Sequence, residues 1–600
     1  MENMRAIRQF ITRNEAIMIK KKWMDSIAVI GIVFALLFSV TLTYFPQVLA
    51  LEAKETTFLY ETELFDKEQV MTVDILMDDK LWNEMLEHAL EEEYYRCDVV
   101  INGVTYYNVG IRPKGNTSLT QVANDSTTDR YSFKLEFDHY DSEQTCMGLD
   151  KLVLNNMISD ATCRKEYISY DIMSYLGVDT SMFSYASVSR NGENWGLYFA
   201  MEAVEESYAT RVFGVDYGEL YKPEGAMMRD ASGSQGAALA YIDDNLDSYS
   251  AIFDGAVFQP SKADKERVVE ALKNISEGEL TGTVDVESML RYIASNTFLI
   301  NDDSYFGSML HNYYLYEKDG VITMLPWDYN LAFGGFQSHN VSEVINRGLD
   351  DVVSGSLEDR PIIGKLLEIE EYKEQYDTYL EELISGYFES GNFEKTMDKL
   401  DLLLDKYIQE DPTAFYSYEE YIEANQMLRV FCKKRAESIR SQLDGTLERT
   451  ATAQKSESKI DTADVDLSVM GSQGGMGKEG GMGGFRGEFG QFPDMEVPEG
   501  DRTMPEGIMP PEEGGALDGM APPGGDGMQP PSDKTEEQGQ KNREWEAGNF
   551  PGEWKGGVGI RQEFGGESDK QNSMWVWVGI SVAVMLAGLV FAKFYPRSRY

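Results

Sequence analysis

Two uncharged apolar stretches, Ser26 to Phe45 (SIAVIGIVFALLFSVTLTYF) and Met574 to Ala592 (MWVWVGISVAVMLAGLVFA), bracket the chain and constrain everything between them. Each is close to the ~20 residues that cross a bilayer as a helix, where every backbone polar group must be bonded within its own segment. Arg5, Arg8, Arg13, Lys20, Lys21 and Lys22 precede the first stretch, and Lys593, Arg597 and Arg599 follow the second. Positive charge stays on the cytoplasmic side. The sequence therefore predicts a two-pass cell-membrane protein with residues 1–25 and 593–600 inside, spans at 26–45 and 574–592, and the rest extracellular. A cleaved signal peptide is the alternative for the first stretch, with Val48-Leu49-Ala50 as its cleavage site. The central region is exported in either case.

That region carries most of a formal net charge of −48 and shows no basic stripe. Nucleic-acid binding is thereby excluded as a function class, because phosphate backbones require clustered Lys and Arg. Cys97, Cys146, Cys163 and Cys432 form no C-x-x-C pair, so neither a zinc ribbon nor a thioredoxin motif is present, and a disulfide framework is not expected at this density. His88, His139, His311 and His339 lack the i, i+4 spacing of a helical zinc site and read as ordinary polar placements.

Residues 55–445 have the composition of a folded domain. Its first half alternates like strands, as in Val99-Val100-Ile101-Asn102-Gly103-Val104, where Asn-Gly signals a hairpin, and in Tyr131-Ser132-Phe133-Lys134-Leu135-Glu136-Phe137. A helix is predicted from Asp160 to Leu176, with Gly177 as its C-terminal stop. The second half is helical in pattern, over Val286 to Leu299 and Pro361 to Gln442. A strand-rich lobe followed by a helical lobe gives an α+β plan with a cleft between lobes. Residues 446–573 are expected to be a tether, dense in Gly, Pro, Glu and Met from Met470 onward, and too poor in apolar surface to offset the entropy of ordering.

The chemistry concentrates between Asn301 and Asp328. Asp303, Asn312 and Asp328 surround a hairpin of alternating apolar residues. Phosphoryl transfer needs one carboxylate to orient the attacking hydroxyl and further oxygens to hold Mg²⁺, and these three residues are the candidates. Lys134, flanked by Phe133 and Leu135, faces away from their core side, as a phosphate-binding strand Lys would and as a solvated surface Lys also would.

Gly110-Ile111-Arg112-Pro113-Lys114-Gly115-Asn116-Thr117-Ser118, the Lys134 strand, Lys151-Leu152-Val153-Leu154-Asn155-Asn156, Gly196-Leu197-Tyr198 with Glu202, HNYYLY, LPWDYNLAFGGF, Arg360-Pro361-Ile362-Ile363 and a final helix with Arg435 occur in that order. Together they resemble the CotH (spore coat protein H) kinase family, from about Phe58 to Leu443. The resemblance implies an atypical two-lobed protein-kinase-like fold that binds ATP with Mg²⁺ or Mn²⁺ and phosphorylates Ser or Thr of surface, secreted or coat proteins. It implies Lys134 as the phosphate-binding Lys, with Glu166 as its acid and Glu136 as a competitor for that role. Arg112, Lys114, Gly115, Asn116 and Ser118 are then expected over the phosphates, Met201 and Glu202 at the adenine, and Lys222 nearby. It also favours Asp303 as catalytic acid, although Asp302 is adjacent, with Asn312 and Asp328 on the metal. A catalytically weak surface scaffold or adhesion module, and a nucleotidyltransferase, are the alternative functions.

Overall fold

The computed structural model describes residues 58–225, 234–338 and 340–473. Both apolar stretches, both termini, His339 and the chain from residue 474 lie outside the described residues. Among the described residues no helix is long and apolar enough to cross a membrane. All four cysteines are unpaired.

The first half folds as a closed barrel of seven strands: β1 (Met71–Leu76), β2 (Tyr95–Ile101), β3 (Val104–Lys114), β4 (Ser132–Glu136), β5 (Lys151–Asn155), β6 (Phe183–Arg190) and β7 (Glu193–Glu202). Their order is β1-β2-β3-β4-β5-β7-β6. Neighbours pair antiparallel except where β1 runs parallel to β6, from Met71 opposite Ala186 to Ile75 opposite Arg190, and closes the cylinder. Alternation along each strand announces strands, but closure depends on this long-range pairing. Asn102-Gly103 turns β2 into β3 with both residues at positive φ, 48° and 83°, as a two-residue hairpin requires.

Period-two side chains build two cores from one sheet. Val73, Ile75, Val99, Ile101, Ile111, Phe133, Leu135, Leu152, Leu154 and Tyr198 fill the barrel. From the outer face, Val153, Phe183, Tyr185, Leu197, Phe199 and Met201 join a second core with the helices. Each such fully buried side chain contributes roughly 1.5–3 kcal/mol, so this row is enough to hold the helical part against the barrel.

The helices include α1 (Thr117–Ala123), α2 (Lys165–Tyr175), α3 (Lys262–Glu277), α4 (Val286–Leu299), α5 (Pro361–Leu367), α6 (Glu370–Leu383), α7 (Asn392–Gln409) and α8 (Tyr418–Leu443). A three-stranded sheet, ordered β10-β9-β8, accompanies them, with β8 at Glu219–Tyr221, β9 at Tyr313–Lys318 and β10 at Val321–Pro326. The fold is thus a mixed α+β one, a barrel followed by helices. Helix α4 has the bounds expected from its periodicity. Helix α2 starts five residues later than expected, because Asp160 stands outside it and its carboxylate accepts the Thr162 N–H at 2.9 Å and the Lys165 N–H at 2.9 Å.

The packed chain does not stop at Gly445, where the tether was expected to start. Leu447, Val465, Leu467 and Met470 are buried. The residues after Gly445 lack a helical period, and this concealed their few anchoring apolar side chains.

Candidate functional site

The Asp303 loop is built before any charge is considered. Helix α4 ends at Leu299, Ile300 takes a left-handed conformation (φ 50°), and Asn301 becomes the linchpin of the turn. Its amide donates to the Asp328 carbonyl at 3.2 Å, and its side-chain oxygen accepts from the Asp303 N–H at 3.3 Å. Arg360 donates to the Tyr305 carbonyl at 2.7 Å, pinning the loop from α5. Asp302 is forked by Arg347 at 2.7 and 2.6 Å and accepts a third bond from Ser354 at 2.9 Å. Its oxygens are engaged in holding the loop. Asp303 takes no part in that clamp.

Asp303 faces His311, whose Nε2 lies 2.9 Å from one carboxylate oxygen, and Asn312, whose amide donates to the other oxygen at 3.2 Å and to the Asp303 carbonyl at 2.7 Å. Burial raises the Asp303 carboxyl, against the His311 and Asn312 hydrogen bonds and with help from the Asp328 charge. Burial pulls the His311 imidazole down, but the hydrogen bond and charge of Asp303, followed by the charges of Glu224 and Asp328, outweigh it and the net shift is upward. Asn312 and Asp328 both sit at positive φ, 55° and 58°, a region Asn and Asp tolerate better than most residues. The Asp328 carboxylate accepts no hydrogen bond from the described residues, and neither does the Asn312 side-chain oxygen.

The barrel supplies the opposite wall. Strand period places Arg112 and Lys114 of β3, Lys134 of β4 and Lys151 and Asn155 of β5 on the outer face, beside Met201 of β7. Lys114 donates to the Asn155 side-chain oxygen at 2.7 Å, and the Asn155 amide donates to both Glu166 oxygens at 3.1 Å. Lys114 keeps some exposed surface, but protein encloses its ammonium, and burial lowers its pKa against the nearby charges of Asp328 and Glu166 and together with those of Lys222 and Lys134. Burial pushes Glu166 up, to about 8, helped by Asp328 and opposed by Lys114 and Asn155. Trp327, next to Asp328, lies with its ring centre 5.8 Å from the Lys114 ammonium.

Lys114, Glu166, Asp328, Asp303 and Asn312 therefore converge, with Lys134 and Lys222 within electrostatic range. The expected Lys134–Glu166 pair does not form. Lys134 instead shares Glu205 with Lys151, and the residue that reaches Glu166, through Asn155, is Lys114. The reason is register: Asn155 ends β5 beside Lys114, whereas Lys134 pairs opposite Val153 in mid-sheet. Glu136, the competitor, lies 3.8 Å from Lys151.

Glu202 is the clearest departure. Its carboxylate is fully buried on the face opposite Met201, where it takes bonds from Tyr60 at 2.6 Å, Arg211 at 2.6 Å and the Met182 N–H at 3.0 Å, so its side chain is not available to a nucleotide. Met201 lies beneath Asn155, whose amide is 3.5 Å from its sulfur. Arg112 pairs with Glu92 at 2.6 Å. Lys222 pairs with Glu224 at 3.2 Å. Gly115 adopts φ 132°, and a Cβ there would sit 2.7 Å from the Ser118 hydroxyl oxygen, so the turn into α1 admits no other residue without strain. Asn116 stands exposed at the N-cap position of that helix, with no side-chain capping bond.

Asn155, His311, Glu205 and Lys151 make contacts at or beside the candidate site that the sequence did not assign. Period two from Lys151 pointed to Asn155, and adjacency to Asn312 pointed to His311. Glu205, in the connection after β7, had no signal.

Among the described residues no three His, Cys, Asp or Glu side chains are grouped to hold a metal. The donor set nevertheless suits Mg²⁺ or Mn²⁺. Such ions are held by one or two carboxylates with substrate phosphates and water, and Asp328 and Asn312 offer hard oxygens that no donor among the described residues occupies. A cavity of about 380 Å³ lies elsewhere, lined by Leu357, Pro361, Gly364, Lys373 and Tyr376. The candidate site is accordingly defined by its side chains and not by a closed void.

Residues 111–439, more than half of the chain, match the family described as CotH kinase protein, and the chain belongs to that family. The inner spore coat protein H of Bacillus subtilis (strain 168) is 21% identical over 310 residues, which span 50% of this chain and 80% of that protein.

Proposed function

We propose that this chain is an atypical Ser/Thr protein kinase, two-lobed in plan, membrane-anchored with its domain outside the cell, and acting on a protein of the surface or coat. One observation supports the reading: the hydrogen-bonded relay from Lys114 of the barrel through Asn155 to Glu166 of α2 lies beside Trp327-Asp328, and within electrostatic range of Asp328, which neighbours the bonded Asp303–Asn312 pair. The barrel takes the place of the small lobe. Lys114 neutralises nucleotide phosphates and thereby recovers the charge that burial opposes. Asp328 and the Asn312 oxygen would hold Mg²⁺ or Mn²⁺, which supplies charge neutralisation for the phosphates of ATP. Asp303 orients the acceptor hydroxyl and receives its proton, with His311 and Asn312 fixing the carboxylate. His311 thus has a place in the mechanism, in contrast to the ordinary polar role expected for it.

Mass spectrometry of the detergent-solubilised chain incubated with ATP, Mn²⁺ and a casein-like acceptor tests the reading. A phosphoryl-sized gain on acceptor Ser or Thr is expected. An adenylyl-sized gain would convert the proposal to nucleotidyl transfer, and no gain would leave the scaffold function.

A further inference from the structure

The match ends at residue 439, yet residues 465–473 are packed into the fold and hydrogen-bond two segments that adjoin the candidate site. Val465, Leu467 and Met470 are buried, and the short turn Leu467–Met470 lies on α8. The backbone that follows is shared between two elements. On one side, the Met470 carbonyl accepts the Ala161 N–H at 3.2 Å, and the Gly471 carbonyl accepts the Lys165 ammonium at 2.6 Å. On the other, the Gln473 N–H donates to the Gly335 carbonyl at 2.8 Å, and its carbonyl accepts the Gln337 N–H at 2.9 Å.

Both elements belong to the site. Lys165 immediately precedes Glu166 at the start of α2, and Gly335 to Gln337 follow Asp328 in the same loop. Lys165 is fully buried, and burial lowers its pKa to about 8 against the opposing charge of Asp160. Its nitrogen has one further acceptor, the Ser159 carbonyl at 3.3 Å, so the Gly471 carbonyl is its shorter bond. At Gly471 (φ 81°) a Cβ would fall 2.6 Å from the Ser159 oxygen and 3.0 Å from the Ala161 nitrogen, which are backbone atoms that cannot swing aside. The close approach is specific to glycine.

We propose that residues 465–473 are a positioning segment for the nucleotide site. They fasten the start of the Glu166 helix to the loop after Asp328 and so set the placement of Glu166, and through Asn155 of Lys114, relative to Asp328. The proposal rests on the kinase reading above and extends it beyond the family-matched residues.

The test uses the full chain with Gly471→Val, with Lys165→Met, or with residues 465–473 replaced by a Gly/Ser sequence of equal length. Hydrogen exchange reads residues 159–175 and 334–337, and calorimetry with Mn²⁺ and ATP reads affinity. Each change should speed exchange in both stretches, leave the barrel strands unchanged, and weaken ATP binding about tenfold, or ~1.4 kcal/mol. The KM for ATP should rise while that for the acceptor holds, a split that general loosening would not produce. Unchanged exchange, or faster exchange with unaltered ATP affinity, would sink this proposal and leave the kinase reading standing. Absence of ATP binding by the unaltered chain would sink both. Should the Gly/Ser replacement fail to fold, Gly471→Val carries the same readouts.

Discussion

Two lysine–acid clusters share the outer face of the barrel and are built on opposite principles. Lys134 and Lys151 close on the one Glu205 carboxylate, and all three keep 16–20% of their side-chain surface exposed. Burial tends to raise Glu205, but the two ammonium groups overcome it and hold its carboxyl below the usual range. That cluster is electrostatically satisfied. Lys114 and Glu166 have no direct ion pair. An amide stands between them, and burial drives each towards its neutral form. A buried lysine without a direct ion pair has more to gain from a polyphosphate than a satisfied one does, which under the proposed kinase function favours Lys114 over Lys134.

The largest effects test whether that cluster works with the acids opposite it. Asp328→Ala should weaken Mn²⁺-dependent ATP binding by about 100-fold or more, since a phosphate-bound cation loses its carboxylate. Asp303→Ala should leave binding within about threefold but lower turnover roughly 10²–10⁴-fold, the usual range for a lost general base. Calorimetry and rate measurements on both variants separate the roles. Equal loss of binding would make Asp303 a metal ligand, and full turnover by Asp303→Ala would move catalysis out of this loop.

The comparison itself is broken or sharpened by exchanging the lysines. Lys114→Met should cost about 100-fold in kcat/KM for ATP, or roughly 2.7 kcal/mol, whereas Lys134→Met should cost no more than about fivefold. The reverse ranking would restore Lys134 as the phosphate-binding residue and make its contact with Glu205 a resting arrangement. Glu205→Gln should lower stability by about 1 kcal/mol, since partly exposed ion pairs are screened. Its effect is read by denaturant unfolding, and a loss of ATP affinity exceeding the loss of stability would count against a structural role.

A pH dependence tests the buried placement of the Glu166 carboxyl. Glu166 ionises at an ordinary 4.5 when unfolded and near 8 when folded. Between those values the unfolded chain has released a proton that the folded chain retains, so this group lowers stability as pH rises and adds nothing further above about 8. Glu166→Gln removes that decline. Thermal unfolding should show the variant gaining on the parent from pH 5 to pH 8, and a pH-independent difference would contradict the buried placement.

Legibility followed the range of the determining interaction. The Asn102-Gly103 hairpin, the strand around Phe133 and helix α4 were readable because their patterns are local. Asp303, Asn312 and Asp328 were also readable as a group, since one hairpin joins them. Glu202 was misplaced because a single step along β7 exchanges the cleft face for the opposite one, and only strand register fixes the phase. Asp302 and Asp303 were inseparable until Arg347, far along the chain, claimed the first.

Residue pattern alone carried the α+β order of elements, the acidic character of the chain, and the residue types of the candidate site. Those properties reside in periodicity, composition and spacing. Tertiary structure decided which lysine meets Glu166, which aspartate remains available, and that residues past Gly445 belong to the domain. Each of those outcomes depends on segments distant in sequence being brought together by barrel closure and helix packing, and pairings of that kind leave no periodic trace in the chain.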